Sequence, residues 1–148
     1  MYIRALSVED ADEAARVHRA SFDERLPWLA GLHTADEDRL FFRDQVFRDC
    51  RVYGAFDLGG LVGIIAFRAG WIDQLYVHPH SQGRGAGTAL LTVAKSANPE
   101  LSLWTFQKNT AARRFYERHG FVAVEETNGR SNEEREPDVR YRWRQISN

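Results

Sequence analysis

Trp71-Ile72-Asp73-Gln74-Leu75-Tyr76-Val77, then His78-Pro79-His80-Ser81, then Gln82-Gly83-Arg84-Gly85-Ala86-Gly87-Thr88 is the stretch on which the fold turns. The first seven residues are rich in β-branched and aromatic side chains and predict a strand. Pro79 ends it, because proline cannot continue a sheet. Three glycines in five residues then make a turn. Beyond the turn, Leu90, Val93, Ala94 and Ala97 recur at helical spacing until Asn98-Pro99 stops the helix. Glycines let a backbone approach a ligand closely, and the free N–H groups of a helix start attract anions. A diphosphate is the natural guest of such a unit; the plainer alternative is that the glycines only shape the turn. Two common nucleotide motifs are absent. A Walker A loop needs Gly-Lys-Ser/Thr, whereas Gly87 is followed by Thr88-Ala89, and a dinucleotide fingerprint needs glycine at position 88.

Working outward, Arg51 to Phe56 and Leu61 to Phe67 are β-rich runs joined by Asp57-Leu58-Gly59-Gly60, which predicts a hairpin. Tyr2 to Leu6 is a further short strand. Ser7 with Asp10 opens a helix carrying Ala11, Ala14, Ala15 and His18. Ser21 to His33 has no clear period and reads as a loop or broken helix. Thr34 with Glu37 opens another helix through Leu40, Phe41 and Phe47. Downstream, Leu101 to Thr105 is a strand, and Asn109 or Thr110 caps a helix with Ala112, Phe115, Tyr116 and His119 on one face, which Gly120 ends. Phe121 to Val124 and Val139 to Trp143 are the last strands, separated by a polar loop. The fold class is α/β or α+β, with one mixed sheet covered by helices.

The 148 residues suit a single domain over 1–148. Hydrophobic residues are 43%, enough for a sizeable core, and 20 basic against 21 acidic residues leave a net charge of -1. That balance removes the electrostatic reason to expect a nucleic acid or an anionic membrane as main partner. A lone cysteine, Cys50, excludes an internal disulfide framework and a multi-cysteine zinc site. Met1 to Ser7 has no apolar signal core, and no apolar run approaches the ~18–20 residues that cross a bilayer, so the expected location is cytoplasmic.

Gln82-Gly83-Arg84-Gly85-Ala86-Gly87 resembles the Gln/Arg-x-x-Gly-x-Gly/Ala acetyl-CoA motif of the GNAT N-acetyltransferase superfamily, and Leu75-Tyr76-Val77-His78-Pro79 resembles the strand that runs into it. Asn109 to Phe121 resembles the family's other signature, and the order of elements matches from Tyr2 to Trp143. The resemblance implies a GNAT fold: a mixed, mostly antiparallel twisted sheet with a splayed strand pair, flanked by about four helices. It implies acetyl-CoA as co-substrate; a single cysteine and no His-x-x-x-His pair give the expectation of no metal. Backbone N–H groups from Arg84 to Thr88, in the turn formed by Gln82, Gly83, Gly85, Ala86 and Gly87, would hold the pyrophosphate. Leu75, Tyr76 and Val77 would pair with the pantetheine, Asn109 would touch that arm, and the thioester would sit in the splay between this strand and Leu101 to Thr105. Arg84 either adds charge near the phosphates or is an exposed turn residue. The implied reaction is direct attack of a primary amine, on a small molecule or a peptide N-terminus, through a tetrahedral intermediate whose oxyanion a backbone N–H near Val77 stabilises. Homodimers are frequent in the superfamily, so a homodimer is compatible with it.

Two side chains are candidates for the chemistry. The family pattern places a tyrosine at Tyr116, where a phenol hydroxyl can stabilise or protonate the leaving thiolate; the alternative is that Tyr116 only packs its helix. Strand alternation puts Trp71, Asp73, Leu75 and Val77 on one face, which makes Asp73 a carboxylate among apolar neighbours and a candidate base or acceptor contact. Its alternative is a structural hydrogen bond. Phe22 and Trp28 are candidate apolar walls of an acceptor pocket. Asp23, Glu24, Glu133, Glu134 and Asp138 are solvated charges or hints of a cationic acceptor. His78-Pro79-His80 reads as turn residues rather than metal ligands, and Cys50 as a core thiol. A non-catalytic acyl-CoA sensor or scaffold with the same fold is the competing function.

Overall fold

A computed structural model describes residues 1–146. Its elements in chain order are β1 (Tyr2–Ala5), α1 (Ala11–Arg25), α2 (Ala35–Phe41), β2 (Arg51–Asp57), β3 (Gly60–Arg68), β4 (Trp71–Val77), α3 (Ala86–Ala97), β5 (Glu100–Phe106), α4 (Thr110–Arg118), β6 (Val122–Glu126) and β7 (Asp138–Arg144). The strands form one sheet in the order β1-β2-β3-β4-β5-β7-β6. Every neighbouring pair is antiparallel except β4 and β5, which run parallel.

The helix starts follow their caps. The Ser7 N–H donates to Asp10 Oδ2 at 3.0 Å, and a single 3-10 turn leads into α1. Thr34 and Glu37 bond reciprocally, Glu37 N–H to Thr34 Oγ1 at 3.1 Å and Thr34 N–H to Glu37 Oε1 at 3.0 Å, which opens α2. The chain beyond α2 stays helical as a π turn over Phe42–Val46 and a last turn over Phe47–Asp49. The expected loop at Ser21 to His33 is corrected in its first part: α1 continues to Arg25 and is followed by a 3-10 turn at Pro27–Leu29. Tertiary contacts extend it, since Phe22 packs edge-on against Phe106 and Arg25 is bonded to Gln82.

The sheet buries both faces. On one side Ile65, Phe67, Leu101, Leu103, Val139 and Tyr141 pack against Leu90, Leu91 and Ala94 of α3 and Tyr116 of α4. On the other, Val52, Ile64 and Ala66 meet Ala11, Ala14 and Ala15 of α1 with Phe42 and Val46. The alanines let α1 lie close to the strands.

Two irregularities shape the middle of the sheet. The β3–β4 register runs Ala66↔Gln74 and then Phe67↔Ile72, so Asp73 is the extra residue of a bulge. And β4 meets β5 at a single pair, Trp71↔Ser102, reinforced by Ser102 N–H to Gly70 O at 2.8 Å. Past that point the strands part, and the rest of β4 faces β5 across an open gap.

Candidate active site

The gap between β4 and β5 opens into a cleft of about 630 Å³ that runs on to the glycine turn and the start of α3. One wall is β4 from Ile72 to Val77, the opposite wall is Leu103 to Phe106 of β5, and the far end is closed by α4 through Asn109, Phe115 and Tyr116. Twelve sequence-predicted residues line it together: Asp73, Leu75, Tyr76, Val77, Gln82, Gly83, Gly85, Ala86, Gly87, Thr88, Asn109 and Tyr116. Arg84 is exposed and does not line it.

The glycine turn has the conformation its composition requires. Gly85 is the residue before α3, with φ at 87°, a left-handed geometry that only glycine adopts freely. A Cβ built there would meet nothing within 4 Å, so the space in front of the first turn of α3 is open. Gly87 answers a different demand, because its Cβ would come within 3.2 Å of the Phe115 ring; it lets α3 and α4 approach. Gln82 fastens the turn: its Nε2 donates to Val77 O at 3.0 Å and its Oε1 accepts from Arg25. The hollow thus offers free helix N–H groups, no obstructing side chain and nearby arginine charge, which fits a diphosphate.

Each remaining polar residue has a defined state. Asn109 caps α4 by accepting from Ala112 N–H at 3.2 Å. Thr88 Oγ1 lies 3.0 Å from His119 Nε2, and His119 Nδ1 lies 2.8 Å from Phe115 O. The carbonyl can only accept, so Nδ1 donates to it. Burial pushes the Tyr116 hydroxyl well above an ordinary phenol, with Tyr76 as the lesser cause. Burial likewise pushes Tyr76 up to about 12, helped by the charge of the half-buried Glu134 and opposed by Arg19. Both phenols are protonated at neutral pH.

Asp73 is placed differently from the sequence expectation. The bulge breaks the alternation, so Ile72, Leu75 and Val77 share the face toward α3 while Asp73 turns away from them. Its Oδ2 accepts from Arg68 Nε at 2.9 Å and from Cys50 Sγ at 3.3 Å. Cys50 in turn is pushed up to about 12, by burial first and by Asp73 second, which leaves an unreactive thiol.

The acidic residues thought to border an acceptor are mostly engaged. Asp23 pairs with Arg19 at 3.0 Å, Glu24 lies 4.0 Å from Arg25, Glu133 meets His33 Nε2 at 2.9 Å, and Asp138 bonds Thr127 and Asn132. Trp28 Nε1 donates to Glu136 Oε1 at 2.7 Å, so that the segment after α1 is tied to the β6–β7 loop. His78 and His80 stack at 5.2 Å, and His80 N–H donates to His78 Nδ1 at 3.2 Å. Among the described residues no group of three His, Cys, Asp or Glu side chains is placed to hold a metal ion, and no helix is long and apolar enough to cross a membrane. Sequence reasoning missed Arg25, Arg114, Arg118 and Gln74, all of which line the cleft. Arg114 and Arg118 stand four apart on one face of α4, a spacing that was legible. Arg25 was hidden by the unrecognised end of α1.

Residues 48–123, just over half of the chain, match the family described as acetyltransferase (GNAT) domain. The chain belongs to the GNAT family. The peptidyl-lysine N-acetyltransferase YiaC of Escherichia coli is 34% identical over 68 residues, which are 45% of this chain and 47% of that protein. The chain spans about half the length, or less, of the curated relatives it matches. Among solved structures, apo YjaB from Escherichia coli superposes with a TM-score of 0.80 at 21% identity, covering 98% of both chains. The PaiA N-acetyltransferase from Thermoplasma acidophilum, solved in complex with coenzyme A, superposes at 0.70 with 23% identity, covering 97% of this chain and 98% of that one. These two likenesses establish the GNAT fold, with its mixed, mostly antiparallel sheet and four flanking helices.

Proposed function

We propose that the protein is an N-acetyltransferase that moves the acetyl group of acetyl-CoA to a primary amine by direct attack through a tetrahedral intermediate. The observation that carries this reading is the cleft itself: a strand gap with unused backbone edges that leads, without interruption, from the start of a glycine-opened helix to the hydroxyl of Tyr116. Leu75, Tyr76 and Val77 offer that edge to an extended amide-bearing arm, and Arg84 to Thr88 offer N–H groups to a diphosphate. Asn109 borders the arm from the start of α4.

In the reaction the ammonium first loses a proton to solvent, the neutral amine nitrogen bonds to the acetyl carbon, the C–S bond breaks with its electron pair on sulfur, and the second proton shed by nitrogen reaches the departing thiolate through solvent. A free thiol has a pKa of about 8.5 and an ordinary phenol about 10. Tyr116 is raised further by burial, so full proton transfer from it to the thiolate is uphill. Its part is to hold a hydrogen bond on the departing sulfur, an effect worth ~10²–10⁴ in rate when well placed. Asp73 is a poor choice for the base, because its carboxylate is held by Arg68 and Cys50.

The test pairs binding with turnover. Acetyl-CoA should raise the melting temperature, since a ligand of the native state stabilises it by RT ln(1 + [L]/Kd). CoA release should then appear with at least one member of an amine panel. A raised melting temperature with no release for any amine supports the sensor instead, and no shift at all removes both readings.

A further inference from the structure

Thr88 and His119 both line the cleft, the first in the opening turn of α3 and the second just past the end of α4. Gly85 stands before α3 and has no side chain to cap it, so the N–H of Thr88, third in the helix, is one of those a helix start leaves free. Helical side chains tilt toward the N-terminus of their helix, which brings the Thr88 hydroxyl to the same hollow. The other hydroxyls of α3 are spent on their own helix: Thr92 donates to Thr88 O at 2.9 Å and Ser96 to Thr92 O at 2.8 Å. The Thr88 hydroxyl instead meets the imidazole, Oγ1 lying 3.0 Å from His119 Nε2. The ring is fixed from behind, because Nδ1 donates to Phe115 O at 2.8 Å and the Phe115 ring packs on it at 4.4 Å between centroids.

A hydroxyl has one proton to give. With a neutral ring, Nδ1 carries the single N–H, Nε2 is a lone pair, and the Thr88 proton is spent on it, leaving oxygen lone pairs toward the hollow. With a protonated ring, Nε2 donates to Oγ1 and the hydroxyl proton turns outward. We propose that His119 is a positioning residue for the diphosphate of the cofactor: acting through Thr88, it takes up a proton as the diphosphate binds, so that the hydroxyl donates to a phosphate oxygen beside the N–H groups of the turn. This rests on the acetyl-CoA reading above. One proton passes from solvent to Nε2 and no other covalent bond changes. The charged groups on the surrounding elements leave that role to the guest. From α3 comes Lys95, whose ammonium donates to His119 O at 2.7 Å and lies over the Trp143 ring of β7. From α4 come Arg114 and Arg118, which line the same cleft, and Glu117, which accepts from the Tyr141 hydroxyl at 2.6 Å. The turn before α3 brings the exposed Arg84. Among the described residues neither ring nitrogen pairs with a carboxylate, so the anion that a charged ring answers is the diphosphate. By linkage, a guest that prefers the protonated form is held more tightly as pH falls.

The experiment is titration calorimetry of the full chain with dephospho-CoA, whose diphosphate keeps a fixed charge near neutral pH, so that no phosphate of the ligand titrates. Between about pH 8 and about pH 6, a span that brackets an ordinary imidazole, wild-type affinity should tighten by about tenfold, the worth of one hydrogen bond to a charged group. Binding heats in two buffers of different ionisation enthalpy should show a proton taken up. His119→Gln should flatten the pH dependence, because an amide does not titrate. Thr88→Val should lose more affinity at the lower pH than at the upper, where the hydroxyl is turned away. Circular dichroism checks that each variant folds; if one does not, the wild-type proton uptake and the other variant decide. Wild-type affinity that ignores pH, a slope that survives in His119→Gln, or a Thr88→Val loss equal at both pH values would each overturn the proposal alone. A wild-type protein that binds neither dephospho-CoA nor acetyl-CoA at either pH removes the cofactor reading and this proposal together.

Discussion

His18 makes the protein acid-sensitive in a way that can be isolated. Its ring lies among Phe22, Phe42 and Tyr76, with centroids at 5.7, 5.4 and 4.5 Å, and its Nδ1 is buried without a partner. Burial first, and Arg19 second, hold its pKa at about 4, below the 6.5 of an ordinary imidazole. The unfolded chain therefore binds more protons than the folded one between those two values. Stability is fully present above the upper value and is lost as pH falls toward the lower one, with no further loss below it. Lowering pH from about 7.5 to about 5 should remove about 2 kcal/mol through this group alone. For a chain of this size that corresponds to a melting temperature lower by roughly 4–8 °C. His33 acts in the opposite sense, since Glu37 and then Glu133 raise it; its contribution is lost as pH rises and is common to any His18 variant. The comparison is therefore urea unfolding of wild type and His18→Phe across this range, the phenyl ring keeping the aromatic contacts without a titrating nitrogen. Stability curves that run parallel from neutral to acid pH would refute the assignment of this sensitivity to His18.

Other outcomes follow from the same geometry. Gly85→Glu should abolish the acetyl-CoA-induced rise in melting temperature while the protein still unfolds cooperatively, because the new side chain projects carboxylate into the open hollow before α3. Tyr116→Phe should lower kcat by ~10²-fold or more with acetyl-CoA affinity nearly intact, read by CoA release and calorimetry; unchanged turnover would make Tyr116 a packing residue. Asp38→Ala should destabilise the protein by about 2 kcal/mol in urea unfolding, since Arg19 keeps its pair with Asp23. It leaves Arg19 without the two-point partner whose bonds measure 2.7 and 2.8 Å, and Asp38 itself is only 6% exposed.

Much of the fold was legible because its signals are local. The hairpin at Asp57 to Gly60, the capping pair Thr34 and Glu37, and the glycine turn before α3 each depend on a few adjacent residues. The end of α1 was not legible, since Phe22 meets Phe106 and Arg25 meets Gln82, partners far along the chain. The face of Asp73 failed for a related reason. A bulge is a property of two strands together, and nothing in Trp71 to Val77 alone says that β3 pairs Phe67 with Ile72 rather than with Asp73. The residues of the glycine turn could be named from the sequence, whereas Gln74 could not, because a lone glutamine in a strand comes to line a cleft only when the neighbouring strand departs.

The single residue pair that joins β4 to β5 divides the molecule mechanically. On one side four strands form a continuous ladder, on the other three, and the covalent links across the seam run through α3 and its flanking turns. The apolar core under α3 and α4 spans this seam, so the backbone ladder alone is thin there, and any change in the width of the gap would turn about the axis through Trp71 and Ser102 with each half-ladder intact. A guest with its own amide groups, laid against the free edge of β4, would act as a splint across this axis, stiffening the sheet by standing in for a strand that the chain does not supply. The protein therefore holds in reserve a rigidity that its ligand completes.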